Sequence, residues 1–390
     1  MARAPEAPTI ALLAGEASGD LLGASLIAAI RRQRPGATFV GVGGPRMRAE
    51  GLECLLPAER LTMNGFVEPV RRLPELLRIF RRLRTAFVER RVDAFVGIDF
   101  NVFNLLLERA LKGRGLRTIH YVSPSVYAWR RGRVRRFRRA MDLMLTLYPF
   151  EPPLYRDAGV AAVFVGHPLA DALEPVADPG PARRALGLEP DAALVLTLMP
   201  GSRRAELALM ADDFLAAAAL VARRRPGTQV LIALVDEAAA RTLRPRLLRH
   251  PDLDARIVVD RSAEALAAAD LVLVKSGTGT LEAMLIGRPM VVAYRLGPWT
   301  HRILRHLVTA PHFALPNILA GEALVPELIQ DAATPARMAD ALLAELGRAP
   351  LLRGRFAALG AALRRGAADR AAQAVLRCID GMPPAAGEGR

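Results

Sequence analysis

Apolar and polar positions follow two patterns along this chain. Short, solid apolar runs bounded by Gly or Pro read as buried parallel strands, and stretches with apolar residues three and four apart read as helices. Runs at 9–14, 38–42, 92–98, 117–122, 141–147 and 162–165 predict one set of strands. Runs at 194–199, 229–235, 257–259, 270–275 and 290–294 predict a second set. Helical spacing falls between them, at 21–32, 71–91, 101–111, 207–224 and 281–286, and the tail 335–378 is mostly helical. Strands alternating with helices predict an α/β fold of doubly wound parallel sheets. The Pro-rich stretch EPVADPGP at 174–181 has no periodicity and reads as a linker. With 390 residues, the division expected is a first domain at 1–175, a second at 182–345, and C-terminal helices at 346–390 packing back toward the first.

The loops after several strands carry the candidate chemistry. SGTGT at 276–280 opens a helix, and Gly277 and Gly279 let the backbone approach a ligand closely. The first N–H groups of a helix have no internal partner, so the place suits phosphate. Glu282 follows in the first turn, where a carboxylate can take a ribose diol. PGSRRAE places Gly201 and Ser202 at a second helix start with Arg203 and Arg204 beside them, which reads as a phosphate loop or a plain cap. In GEASGD, Glu16, Ser18 and Asp20 stand at a strand's carboxyl edge as ligand contacts or helix caps. Asp99 ends the strand 92–98 and reads equally as a general base or as a cap of the next helix. Asn317 lies in the loop LPNILAG as a ligand contact or a turn residue.

Several chemistries are excluded. GVGG follows the second strand and lacks dinucleotide spacing, and no GxxxxGK[ST], GxSxG or SxxK motif occurs. His301 and His306 are five apart with no HExxH, so no metal is assigned. Cys54 and Cys378 form no redox motif, which makes a cytoplasmic protein the default. No apolar run approaches the ~18 residues of a spanning helix.

Charge adds a partner question. The chain carries 54 basic and 39 acidic residues, net +15, with Arg supplying nearly all the basic ones. A GC-rich genome explains part of this; the remainder suits a membrane, a nucleic acid or a phosphorylated substrate. In 71–91, Leu73, Leu76, Leu77, Phe80, Leu83 and Phe87 recur at helical spacing and arginines such as Arg78 fill the other faces. That helix packs on the core or lies on anionic lipid, with Phe66 and Val67 just upstream. Seven arginines fall within 130–139, a solvated face or a holder of phosphate or head groups.

Taken together and in order, GEASGD, GVGGPRM, GID, HYVSPSVYAWR, PFE, GHP, PGSR, SGTGTLE, PMVVAYR and LPNILAG resemble the lipid-A-disaccharide synthase family over about residues 9–330. The resemblance implies a GT-B glycosyltransferase of two Rossmann-like domains, with parallel sheets facing across a cleft. It implies peripheral association with the inner membrane and no metal or cofactor. It implies transfer of 2,3-diacylglucosamine from UDP-2,3-diacylglucosamine to 2,3-diacylglucosamine 1-phosphate, giving the β-1,6 disaccharide and UDP. Asp99 then matches the family's base, and Gly201, Ser202 and Arg203 its diphosphate loop. Ser276, Gly277, Thr278, Thr280 and Glu282 match the nucleotide loop and helix, and Asn317 a donor contact. Glu16, Ser18, Asp20, Ser123 and Arg130 become acceptor-side candidates, and Phe66, Val67, Leu73, Leu76, Leu77 and Arg78 membrane contacts, with room for a homo-oligomer. One departure stands out: the family reads GIDxPxFN, whereas Ile98 to Asn104 here lack the Pro and a second Asp.

Two other readings compete. A GT-B enzyme or epimerase using UDP-GlcNAc would share the Glu282 region without needing the 71–91 helix. A nucleic-acid binder would show steep salt dependence, but the Arg clusters carry few stacking aromatics.

Overall fold

The computed structural model describes residues 7–61, 73–124, 137–189, 192–297 and 311–383. They form two compact units, Met1–Asp171 with Leu363–Arg390, and Ala172–Ala362.

The first unit runs β1 (Thr9–Ala14), α1 (Ala17–Gln33), β2 (Thr38–Gly43), α2 (Pro45–Ala49), β3 (Leu52–Pro57), α3 (Leu73–Glu89), β4 (Ala94–Ile98), α4 (Asn101–Lys112), β5 (Arg117–Tyr121), β6 (Leu143–Thr146), α5 (Pro152–Arg156), β7 (Ala161–Phe164) and α6 (Pro168–Ala172). Its sheet is parallel, in the order β3-β2-β1-β4-β5-β6-β7. Alternate side chains of β1 enter two cores. Ile10 and Leu12 pack with α1, while Ala11 and Leu13 pack with Phe87 of α3 and Leu107 of α4. Burial on both faces is why these strands read as unbroken apolar runs. The last helix of the chain, Ala367–Ile379, lies against α1 and closes the first core with Ala371, Val375 and Leu376.

The second unit runs α7 (Gly180–Ala185), β8 (Leu194–Met199), α8 (Arg204–Arg224), β9 (Thr228–Leu234), α9 (Glu237–Leu247), β10 (Ala255–Val259), α10 (Ser262–Ala268), β11 (Leu271–Lys275), α11 (Thr278–Ile286), β12 (Met290–Tyr294), α12 (Leu315–Ala320), β13 (Glu327–Ile329) and α13 (Pro335–Leu363). Its parallel sheet has the order β10-β9-β8-β11-β12-β13. Leu196 and Leu198 face Phe214 of α8, and Val195 faces Ala265 and Ala268 of α10.

Strand order reverses between β1 and β4 in one sheet and between β8 and β11 in the other. Crevices at the carboxyl ends of strands open at such reversals, and these are where α/β sheets bind ligands. Four of the loops singled out in the sequence follow these four strands.

Several boundaries differ from the sequence reading. α1, α8 and α11 begin at Ala17, Arg204 and Thr278, three or four residues earlier than periodicity predicts. First turns tolerate small and polar residues, so the apolar period starts late there. Glu282 therefore sits in the second turn of α11. LPNILAG is a helix, not a loop: Pro316 is tolerated in its first turn and Gly321 ends it in the left-handed conformation. The stretch 174–181 runs into α7 at Gly180. β3 and the three-residue β13 are edge strands that the pattern did not mark.

Candidate functional site

In the second unit a pocket of about 440 Å³ opens at the β8/β11 reversal. Gly201, Ser202 and Arg203 line one side, Ser276, Gly277 and Thr278 another, and Glu282 also faces it. Seven of the residues predicted to hold the donor thus meet at one cavity. Gly201 has φ 129 and Gly277 φ 149, a region side chains avoid. A Cβ at Gly201 would also fall 2.7 Å from Glu206 Oε2. Arg203 extends outward, with its side chain 82% exposed.

Glu206 organises the first loop. Its Oε2 accepts the Ser202 and Arg203 N–H groups at 3.1 and 3.3 Å, and its Oε1 accepts from Lys275 Nζ at 2.9 Å. Burial raises this carboxyl, but the hydrogen bond and charge of Lys275, with the two N–H groups, outweigh it and hold the pKa below the ordinary value. Glu282 moves the other way. Burial raises its pKa, partly offset by a hydrogen bond from Ser262 across the same pocket.

Thr280 and Asn317 are placed differently from their neighbours in the motif. Thr280 is fully buried, and its hydroxyl donates to the Gly277 carbonyl at 2.7 Å. Asn317 is also buried, bonded to the Val325 backbone in both directions and to Glu327 Oε1 at 2.8 Å. Glu327 holds the N–H groups of Phe313 and Ala314, and the Phe313 carbonyl accepts Ser276 Oγ at 2.9 Å. Both side chains therefore shape the loop from beneath and do not line the pocket.

In the first unit Asp99 lies just beyond β4, half-buried, with φ 50, and Phe100 follows with φ 47. Two successive non-glycine residues in the left-handed region store strain, as does Val122 with φ 80 beyond β5. The strain is held in place. Asp99 N–H donates to the Tyr121 carbonyl at 2.9 Å, and Asn104 Nδ2 donates to the Asp99 carbonyl at 2.8 Å. The α4 cap position falls at Phe100, one residue after Asp99. Beneath lies a fully buried pair, His120 Nδ1 and Glu108 Oε1 at 2.7 Å. Burial raises the Glu108 carboxyl, opposed by the His120 charge and hydrogen bond.

The acceptor-side candidates scatter. Glu16 and Ser18 are exposed at the start of α1. Asp20 is buried and caps a different helix from the one expected: it accepts N–H groups from Gly44, Arg46 and Met47 at the start of α2. Ser123 Oγ is 2.7 Å from the Tyr155 hydroxyl. Arg130 lies outside the described residues, as do Phe66 and Val67.

On α3, Leu73 and Leu77 are 53% and 46% exposed and Arg78 is exposed, whereas Leu76 turns toward the core with Ile79, Leu83 and Phe87. Neighbouring α4 exposes Val102 and Leu106. Among the described residues no helix is long and apolar enough to cross a membrane, and no group of His, Cys, Asp or Glu is placed to hold a metal.

Sequence reasoning missed Glu206 and Lys275. A Glu three residues after a helix cap was the available signal for the first. The lysine gave none, because a strand-ending Lys is ordinary until its neighbours are known.

Residues 10–349 match the family model described as lipid-A-disaccharide synthetase. A lipid-A-disaccharide synthase from Burkholderia thailandensis is 46% identical over 389 residues, covering 98% of this chain and 100% of that protein. Another from Azotobacter vinelandii is 49% identical over 373 residues, 95% of this chain and 98% of that one. Among solved structures, MurG of Acinetobacter baumannii superposes with TM-score 0.56 at 16% identity, covering 96% of this chain and 100% of that chain. UDP-GlcNAc 2-epimerase of Neisseria meningitidis, bound to UDP-GlcNAc, gives TM-score 0.60 at 11% identity, covering 95% and 98%. At such identities the likeness concerns the fold, which is that of the GT-B glycosyltransferases.

Proposed function

This chain belongs to the lipid-A-disaccharide synthetase family, a family of glycosyltransferases that form the lipid A disaccharide, and from that premise we propose how its two units divide the reaction. The second unit holds UDP-2,3-diacylglucosamine. Its pocket offers the α11 N-terminus and Arg203 to the diphosphate and Glu282 to the ribose. The first unit takes 2,3-diacylglucosamine 1-phosphate. Asp99 accepts the proton of the acceptor's 6-hydroxyl as that oxygen attacks the donor's anomeric carbon from the face opposite the diphosphate. The bond from that carbon to the diphosphate oxygen breaks, its electron pair leaves with UDP, and the new linkage is β-1,6. Fixed dipoles and cations meet the charge that develops on the leaving group.

Because both sugars carry acyl chains, the protein works at the inner membrane surface. α3 supports this reading, with Leu73 and Leu77 exposed beside Arg78, Arg81 and Arg82.

The observation that carries the proposal is the meeting of Gly201–Arg203, Ser276–Thr278 and Glu282 around one pocket. A donor panel tests it. UDP-2,3-diacylglucosamine should be consumed in the presence of acceptor and plain UDP-GlcNAc should not. Preference for the unacylated donor would refute the reading.

A further inference from the structure

Lys275 ends β11 inside the pocket, and its surroundings are more specific than a strand end requires. Its Nζ donates to Glu206 Oε1 at 2.9 Å and stands 4.9 Å above the Tyr294 ring centroid. A Cβ on Gly277 would lie 3.8 Å from the same nitrogen, so the ammonium also rests against the loop that opens α11. Glu206 meanwhile holds the Ser202 and Arg203 N–H groups of the loop that opens α8. The amine thus stands where two helix N-termini approach one cavity.

Stability alone is a weak reason for this pair. The side chains are 17% and 14% exposed, and at such burial the desolvation of two charges offsets most of their attraction. An ammonium carries three donors. Among the described residues Glu206 is the hydrogen-bond acceptor that Lys275 meets, and the lysine lines the cavity, so donors remain for a ligand there.

We propose that Lys275 is a further ligand of the donor's diphosphate: Glu206 orients the amine through one N–H, and the others reach the phosphate that leaves with the nucleotide. The inference rests on the nucleotide-sugar reading above. No proton need move. The lysine donates hydrogen bonds to oxygens that gain charge as the bond to the sugar breaks, and Arg203, being exposed, supplies a second cation from outside.

Calorimetric titration of UDP and of uridine into the wild type, K275M and K275R tests this. K275M should weaken UDP roughly 10- to 100-fold while leaving uridine unchanged, as expected for lost charge-assisted hydrogen bonds. K275R should recover part of the UDP affinity. Unchanged UDP affinity in K275M would overturn the proposal. So would equal losses for UDP and uridine, since the lysine would then be a strut for the pocket. Should K275M fail to fold, K275Q makes the same comparison. A wild-type protein that binds neither ligand would refute the donor pocket itself, a result distinct from both.

Discussion

Asn104 Nδ2 donates to the Asp99 carbonyl at 2.8 Å, and the same nitrogen lies 3.4 Å from the Leu13 and Ile98 carbonyls. One buried amide therefore ties the ends of β1 and β4 to the residue that departs from them. It explains how Asp99 and Phe100 keep left-handed backbones without glycine. Asn104 thus restrains this segment from below.

Gly97 makes the arrangement sensitive to volume. A Cβ there would fall 2.3 Å from Glu108 Oε1 and 2.9 Å from Asn104 Cβ. Gly97→Ala should destabilise the protein by about 1–3 kcal/mol, the usual cost of overpacking a core, and should lower kcat. Urea denaturation beside steady-state kinetics measures both, and an unchanged midpoint would mean that the pair yields.

Asp99→Asn preserves shape and removes the proton acceptor. Activity should fall by about 10²–10⁴-fold, the range for a general base, with the melting temperature nearly unchanged. Turnover close to wild type would take Asp99 out of the base role.

Glu151 and His167 both contribute to the pH dependence of stability. Burial raises the Glu151 carboxyl to about 8, against N–H groups of Tyr148 and Leu147 and the Ser123 hydroxyl, from an ordinary 4.5. Burial lowers His167 to about 4 from 6.5, with Asp171 opposing. Below 6.5 the two act in opposite senses, because folding favours protonated Glu151 and neutral His167. Between 6.5 and about 8 Glu151 remains the titrating member of the two, and the folded chain holds a proton that the unfolded chain releases. Its contribution is therefore present at low pH and lost as pH rises through 8. The wild-type urea midpoint should fall relative to Glu151→Gln over this window. A constant difference between the two would show that Glu151 is ionised throughout.

Leu73 and Leu77 are exposed, so Leu73→Ser with Leu77→Ser should cost little stability while weakening binding to anionic vesicles. Leu76 packs toward the core, and Leu76→Ser should destabilise instead. Cosedimentation that does not change in the double variant would reduce α3 to an ordinary amphipathic helix.

The sequence marked most of this architecture because fully buried parallel strands leave solid apolar runs, as at Ile10–Ala14 and Leu271–Val274. It hid β3 and β13, whose edge positions leave them partly exposed. The two loops lining the pocket were legible because Gly201 and Gly277 stand where side chains do not fit. The work of Asp20, Thr280 and Asn317 was not, since a polar residue in a motif looks the same whether it meets a ligand or the backbone beneath it. Lys275 and Glu206 lie far apart in the chain and become partners through the pairing of β8 with β11.

The central claim is the joining of two acylated glucosamines. Incubation of the purified protein with UDP-2,3-diacylglucosamine and 2,3-diacylglucosamine 1-phosphate, followed by mass analysis, measures it directly. The account predicts one tetraacyl disaccharide 1-phosphate and one UDP per turnover, both lost with Asp99→Asn. Recovery of both substrates unchanged, or of UDP without a disaccharide, would contradict it.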